Sequence, residues 1–223
     1  MRLGVIAALS QELGPTLTAI QTSTRVVDRL QIHDSPSLTF AVGGVGSRPA
    51  AAAALLVADQ VKPDALLSVG FCGALTDDLD TGDLVLGGSS QHPATESLLT
   101  LLLEAAPKAR RGSVVTVARV FVNADEKRTL AKHSKALVVD MEADAVALAA
   151  EKRGLGFAAV KVVIDTPAAP LASTYTSVWS VLKDMILKPG SVMGMVYDSK
   201  RVTIAADRLK EFFLALKDRL PYH

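Results

Sequence analysis

The chain has 223 residues, 49% of them hydrophobic, with 24 Lys+Arg against 23 Asp+Glu and a net charge of +1. That is apolar matter enough for one large core, so a single domain over residues 1–223 is expected. The near-neutral charge and 4% aromatic content speak against the clustered basic surface and stacking platforms of a nucleic-acid binder. Cys72 is the only cysteine, which rules out an intramolecular disulfide and fits a reducing cytoplasm.

The apolar run Leu3–Leu9 reads as a strand covered on both faces. It is too short, and too soon interrupted by Ser10-Gln11-Glu12, to be a signal peptide. A helix should follow, starting at Ser10 or delayed to Pro15, which suits a first-turn position. Arg25–Ile32 and Ser37–Val42 read as a hairpin or meander pair around His33-Asp34-Ser35-Pro36. The remaining pattern alternates: helix Pro49–Val61, strand Ala65–Phe71, short strand Leu84–Leu86, helix Ala94–Ala106, strand Ser113–Val120 and helix Ala124–His133. A strand ending at Asp140, helix Met141–Arg153 and strand Gly156–Ile164 come next. Two helices end the chain, one with Val178, Val181, Leu182, Met185 and Ile186 at helical spacing, the other with Leu209, Phe212, Phe213, Leu216 and Leu220. Strands alternating with helices predict a three-layer α/β/α domain, and the neighbouring strands at 25–42 predict a mixed sheet. No segment reaches the roughly 20 apolar residues that span a bilayer.

Two strands end in acid. Val138-Val139 runs into Asp140-Met141-Glu142, and Val160–Ile164 ends on Asp165. Open α/β sheets bind ligands at the carboxyl ends of their strands. A carboxylate there is costly unless it has a partner or a task. Burial would favour the protonated form of Asp165 and suit it to be a general acid. Glu12, Glu142 and Asp144 have an ordinary alternative, since first-turn acids complement the helix dipole. Gly43-Gly44-Val45-Gly46 sits at a strand-to-helix turn, but a dinucleotide fingerprint would need a glycine where Pro49 stands, which counts against an NAD-dependent oxidoreductase. Cys72 is expected to be a small buried residue. The four histidines share no ligand spacing, so neither a metal nor a cofactor is expected.

In order along nearly the whole chain, these pieces resemble the purine nucleoside phosphorylase/nucleosidase superfamily, above all its 5′-methylthioadenosine/S-adenosylhomocysteine nucleosidase branch. The resemblance rests on Gly4–Glu12, Gly43–Ala51, Gly70–Leu75 with Gly82-Asp83-Leu84-Val85, Phe121-Val122-Asn123, Asp140-Met141-Glu142-Ala143 and Ile164-Asp165. It implies a three-layer fold around a mixed, strongly twisted sheet and cleavage of the N-glycosidic bond of a purine ribonucleoside. Asp165 would protonate the purine at N7, Glu142 would bind the ribose hydroxyls, and Glu12 would take a proton from the attacking water. Met141 would pack under the sugar and Phe121 would stack on the base, with the Val122 backbone reading its edge. Asn123, Gly70, Phe71, Ala8 and Lys161 would complete the substrate contacts. The resemblance also implies a homodimer.

The chain departs from the pattern at three places. The phosphorylase branches have an arginine where Ser68 stands and a serine where Phe71 stands, so a phosphate site would have to be rebuilt by Arg48 or Lys161. The nucleosidase branch has serine in place of both Phe71 and Ile164. Three alternatives therefore stay open beside the nucleosidase. One is hydrolytic or phosphorolytic release of adenine from a lipid-linked (hopanoid) adenosine, with the Val178–Val196 region bordering the lipid and membrane contact only in that case. Another is a futalosine-type hydrolase. The third is a non-catalytic purine-nucleoside binding protein.

Overall fold

The computed structural model describes residues 1–119, 124–167 and 199–220. The expected helix at 178–186, Trp179 and the neighbouring methionines, and the segment Phe121-Val122-Asn123 lie outside the described residues.

The described strands form one ten-stranded mixed sheet, in agreement with the predicted class. Strand β1 (Leu3–Ala7) lies at its centre, parallel to β4 (Leu38–Val42) on one side and β5 (Ala65–Ala74) on the other. Strand β10 (Gly156–Asp165) continues parallel to β5 and is flanked by antiparallel β6 (Leu84–Gly87), which carries the two-residue β7 (Arg110–Arg111) at its edge. β2 (Ser23–Val27) and β3 (Leu30–Asp34) close the opposite edge as an antiparallel hairpin. The long central strands are buried from end to end, as their unbroken apolar runs require of a sheet covered on both faces.

Alternation along the strands sorts the core into two layers. Leu3, Val5, Leu67, Val69, Ala158, Val160 and Val162 face α1 (Ser10–Ala19), α3 (Glu96–Ala105) and the last helix α6 (Ser199–Lys217). Ile6, Leu66, Phe157, Ala159 and Val163 face the alanine-rich α2 (Ser47–Val61) and α5 (Ala143–Lys152). The predicted stripe Leu209, Phe212, Phe213, Leu216 and Leu220 is buried, and Phe213 meets the rings of Phe40 and Phe212 edge-on at 5.2 Å.

Of the two starts expected for helix α1 the structure takes the earlier, and two of the expected strands are divided or shortened. Helix α1 starts at Ser10 and keeps Pro15 inside it, because the Glu12 carboxylate accepts the backbone N–H groups of Ala8 and Leu9 and so anchors the helix start upstream of the proline. The stretch 25–32 is itself split between β2 and β3 by a two-residue turn, Asp28-Arg29, both at positive φ (48° and 69°). The expected strand 113–120 shrinks to β8 (Val114–Thr116), which has only the three residues of β9 (Val138–Asp140) to pair with.

The short β9 shapes the rim of the sheet out of proportion to its length. It runs antiparallel to the far end of β5, with Gly73 opposite Val139 and Ala74 opposite Val138. Its last residue, Asp140, is thereby turned back towards the carboxyl ends of β1, β5 and β10. Among the described residues no helix is long and apolar enough to cross a membrane.

Candidate active site

Strand ends β1, β5, β9 and β10 meet around one open pocket. Its lining includes Ala8, Glu12, Phe71, Met141, Glu142 and Asp165 from the sequence-derived set. Among the described residues, Leu9, Val45, Cys72, Gly73, Val117, Arg119, Lys127, Val139, Asp140 and Ile164 line it as well. Three carboxylates named from separate segments thus share one cavity.

Three backbone N–H groups hold Glu12. Its Oε2 accepts the N–H of Ala8 and of Leu9, each at 2.9 Å, and its Oε1 accepts the N–H of Phe71 at 2.8 Å. A carboxylate has about four acceptor sites, so one on Oε1 is left beyond these three. Burial pushes the Glu12 carboxyl above its ordinary range, against the pull of the three N–H donors and the Lys161 charge. Gly70 makes this packing possible. Its φ is +146°, and a β-carbon on it would stand 2.7 Å from Glu12 Cδ, overlapping the carboxylate.

Glu142 is the N-terminal cap of α5, and its Oε1 accepts the Gly46 N–H at 2.7 Å. The glycine turn Gly43-Gly44-Val45-Gly46 therefore docks on a carboxylate, with Gly44 and Gly46 both at positive φ. Burial and then the nearby Asp140 charge raise the Glu142 carboxyl to about 7.

Asp140, 5% exposed, accepts Thr116 Oγ1 at 2.8 Å, the Ala143 N–H at 2.9 Å and Lys161 Nζ at 2.7 Å. Lys161, 1% exposed, also donates to Ser68 Oγ at 3.0 Å. Burial works against the Lys161 charge, but Asp140, Glu142 and Glu12 outweigh it and hold its pKa above the ordinary value. One ammonium thus stands among three carboxylates.

Asp165, 3% exposed at the end of β10, is paired with Lys127 of α4 (Ala124–Ser134). Burial pushes the Asp165 carboxyl above its ordinary range, and the charges of Lys127 and then of Arg201 of α6 oppose that rise.

The structure gives two sequence-derived cations other places. Lys161 is spent on Asp140 and Ser68 behind the pocket and is not among its lining residues. Arg48 is exposed in the first turn of α2 and does not line the pocket either. Two residues that sequence reasoning did not assign are brought in. Asp140 carries the same signal as Asp165, an acid closing an oily strand, but its place in a motif credited to Glu142 hid it. Lys127 carries none, because nothing in its neighbourhood separates it from the exposed Arg128 and Lys132 on the same helix.

A family model described as the phosphorylase superfamily matches residues 2–95 and 87–185. The chain belongs to the phosphorylase superfamily. A 5′-methylthioadenosine/S-adenosylhomocysteine nucleosidase of Haemophilus ducreyi is 23% identical over 198 residues, covering 74% of this chain and 85% of that one. A nucleosidase of the same name from Maridesulfovibrio salexigens is 28% identical over 97 residues, which span only 42% of its length and 41% of this chain. Among solved structures, the nucleosidase of Neisseria meningitidis in complex with methylthio-immucillin-A superposes with a TM-score of 0.78 at 17% identity, covering 98% of this chain and 99% of that one. The native futalosine hydrolase of Helicobacter pylori superposes with a TM-score of 0.75 at 16% identity, covering 99% and 98%. These superpositions establish the shared superfamily fold, mixed sheet included.

Proposed function

We propose that this protein releases adenine from a purine ribonucleoside by hydrolysing the N-glycosidic bond, with a substrate of the 5′-methylthioadenosine/S-adenosylhomocysteine type. The observation that carries the reading is the convergence of Glu12, Glu142 and Asp165 on one largely apolar pocket. The nucleosidases among its relatives support the same reading.

The chemistry divides among these groups. As the C1′–N9 bond breaks, its electron pair passes to the purine and positive charge builds on the sugar. Asp165, which burial favours in the protonated form, gives its proton to N7 and makes the base a better leaving group. Glu142 accepts the ribose hydroxyls and, with Asp140 beside it, stabilises the cationic sugar. Water attacks C1′, and its proton goes to the remaining acceptor position of Glu12. Met141 packs beneath the ribose, and Ala8 and Phe71 line its surroundings.

The charge balance favours water over phosphate. Glu12, Asp140 and Glu142 stand about Lys161, Lys127 is paired with Asp165, and Arg119, the arginine lining the pocket, is paired with Glu126, so an incoming phosphate would meet carboxylates and cations already engaged by them. A homodimer belongs to the same proposal and is checked by the sedimentation mass. The site assignment is tested by Asp165→Asn, which keeps shape but has no proton to give. Adenine released from 5′-methylthioadenosine, followed by chromatography, should fall about 10²–10⁴-fold. Wild-type turnover in that variant would remove Asp165 from the mechanism.

A further inference from the structure

Lys127 takes no part in the reaction steps assigned to Glu12, Glu142 and Asp165. It reaches inward from α4 with only 1% of its surface exposed, while Arg128 and Lys132 on the same helix stay at the surface. Burying an ammonium costs several kcal/mol unless a partner offsets it. The room for its pairing with Asp165 is left by a third element. A methyl on Gly73 of β5 would stand 3.0 Å from Asp165 Oδ1 and 3.2 Å from Lys127 Nζ. Helix α4, strand β5 and strand β10 are thus built around one contact at the pocket wall. The other groups facing it are Arg201 from α6, which acts on Asp165, and the Cys72 thiol from β5, whose pKa burial pushes well up.

We propose that Lys127 is a positioning residue, which fixes the Asp165 carboxyl towards the pocket and stabilises the carboxylate formed when Asp165 gives up its proton. The proposal rests on the reading that Asp165 protonates the leaving purine. In that step the Asp165 O–H bond breaks, the purine N7–H bond forms, and the electron pair of C1′–N9 goes to the base. The negative charge left on Asp165 then faces the Lys127 ammonium instead of an empty apolar wall. Glu12 receives one proton from water as Asp165 loses one, so the charge of the pocket is conserved and exchange with solvent restores the starting state. A nearby cation makes a buried acid stronger, and proton donation is fastest when the acid is matched to its task.

The test is the pH profile of kcat/KM for Lys127→Met and Lys127→Arg. In Lys127→Met, burial acts on Asp165 with less opposition, so the acid stays protonated longer and the alkaline limb should move to higher pH. Its kcat should fall about 10-fold or more while KM changes little. Lys127→Arg should bring the limb and part of the rate back. An alkaline limb left in its wild-type place in Lys127→Met would overturn the proposal, whatever the loss of rate. Should that variant fail to fold, Gly73→Ala crowds the same contact from the opposite side and should move the limb in the same direction; an unmoved limb there would again overturn it. A readout that needs no turnover separates this claim from the enzymatic one. The Asp165 carboxyl carbon, assigned by 13C NMR against Asp165→Asn, should titrate at higher pH in Lys127→Met than in the wild type. If the wild-type protein releases no adenine, that displacement still supports the hold of Lys127 on Asp165, and its absence defeats it.

Discussion

Glu142 shows how much a single side chain can say about conditions. Its carboxyl sits at about 7 in the folded protein against an ordinary 4.5, because burial and then Asp140 disfavour its charge. An acid raised in this way favours the folded state fully below about 4.5, and that contribution is lost as pH rises through about 7. Glu142→Gln retains an oxygen for the Gly46 N–H but never ionises. It should melt above the wild type at pH 8.5, by about 2–4 °C for each kcal/mol released, and the gap should close towards pH 4.5. A gap that is constant across this range would mean that Glu142 titrates normally. At this scale the sequence was informative where an acid closes an apolar run, as at Asp165, or follows the first strand, as at Glu12. It was silent on Lys127 and misleading on Lys161. Whether a lysine faces water, a carboxylate or a ligand depends on residues 38 and 21 positions away, Asp165 for the first and Asp140 for the second, and no local pattern records that.

The elements were legible where hydrophobic period and length agree, as in β1, β5, β10, α2 and α6. They were less so where backbone conformation decides. The hairpin β2–β3 was hidden because its turn, Asp28-Arg29, lacks the glycine that usually marks two residues at positive φ. The same fact makes a prediction. Arg29 holds φ +69°, a conformation that costs a side-chain-bearing residue about 1–2 kcal/mol, part of which glycine gives back in unfolded-state entropy. Arg29→Gly should therefore stabilise the protein by about 0.5 kcal/mol, read as a higher urea midpoint with an unchanged slope. A lower midpoint would mean that the Arg29 side chain contributes more than its backbone costs. The start of α1 stayed open between Ser10 and Pro15 for a related reason. A proline suits a first turn, but Glu12 already fixes the start of α1 by reaching back to Ala8 and Leu9.

Over the whole molecule, two apolar layers hold a mixed sheet whose central strand ends all point at one cavity. The antiparallel return of β9 along β5 adds Asp140, Met141 and Glu142 to the ends of β1 and β10. That return was not foreseen, because three residues of strand carry no direction in their sequence. The layer order was foreseen, because alternating elements leave a chain of this size few other ways to cover both faces of a sheet. The pocket that results gathers four carboxylates, from Glu12, Asp140, Glu142 and Asp165, two of which are paired with buried lysines. Such a site suits a sugar that becomes positive and a nucleophile that brings no charge. The fate of the oxygen is therefore the decisive measurement. With 5′-methylthioadenosine turned over in 18O-labelled water containing excess phosphate, hydrolysis at this site should yield free adenine and a sugar carrying 18O on C1′. A sugar 1-phosphate without label, or no adenine at all, would contradict it.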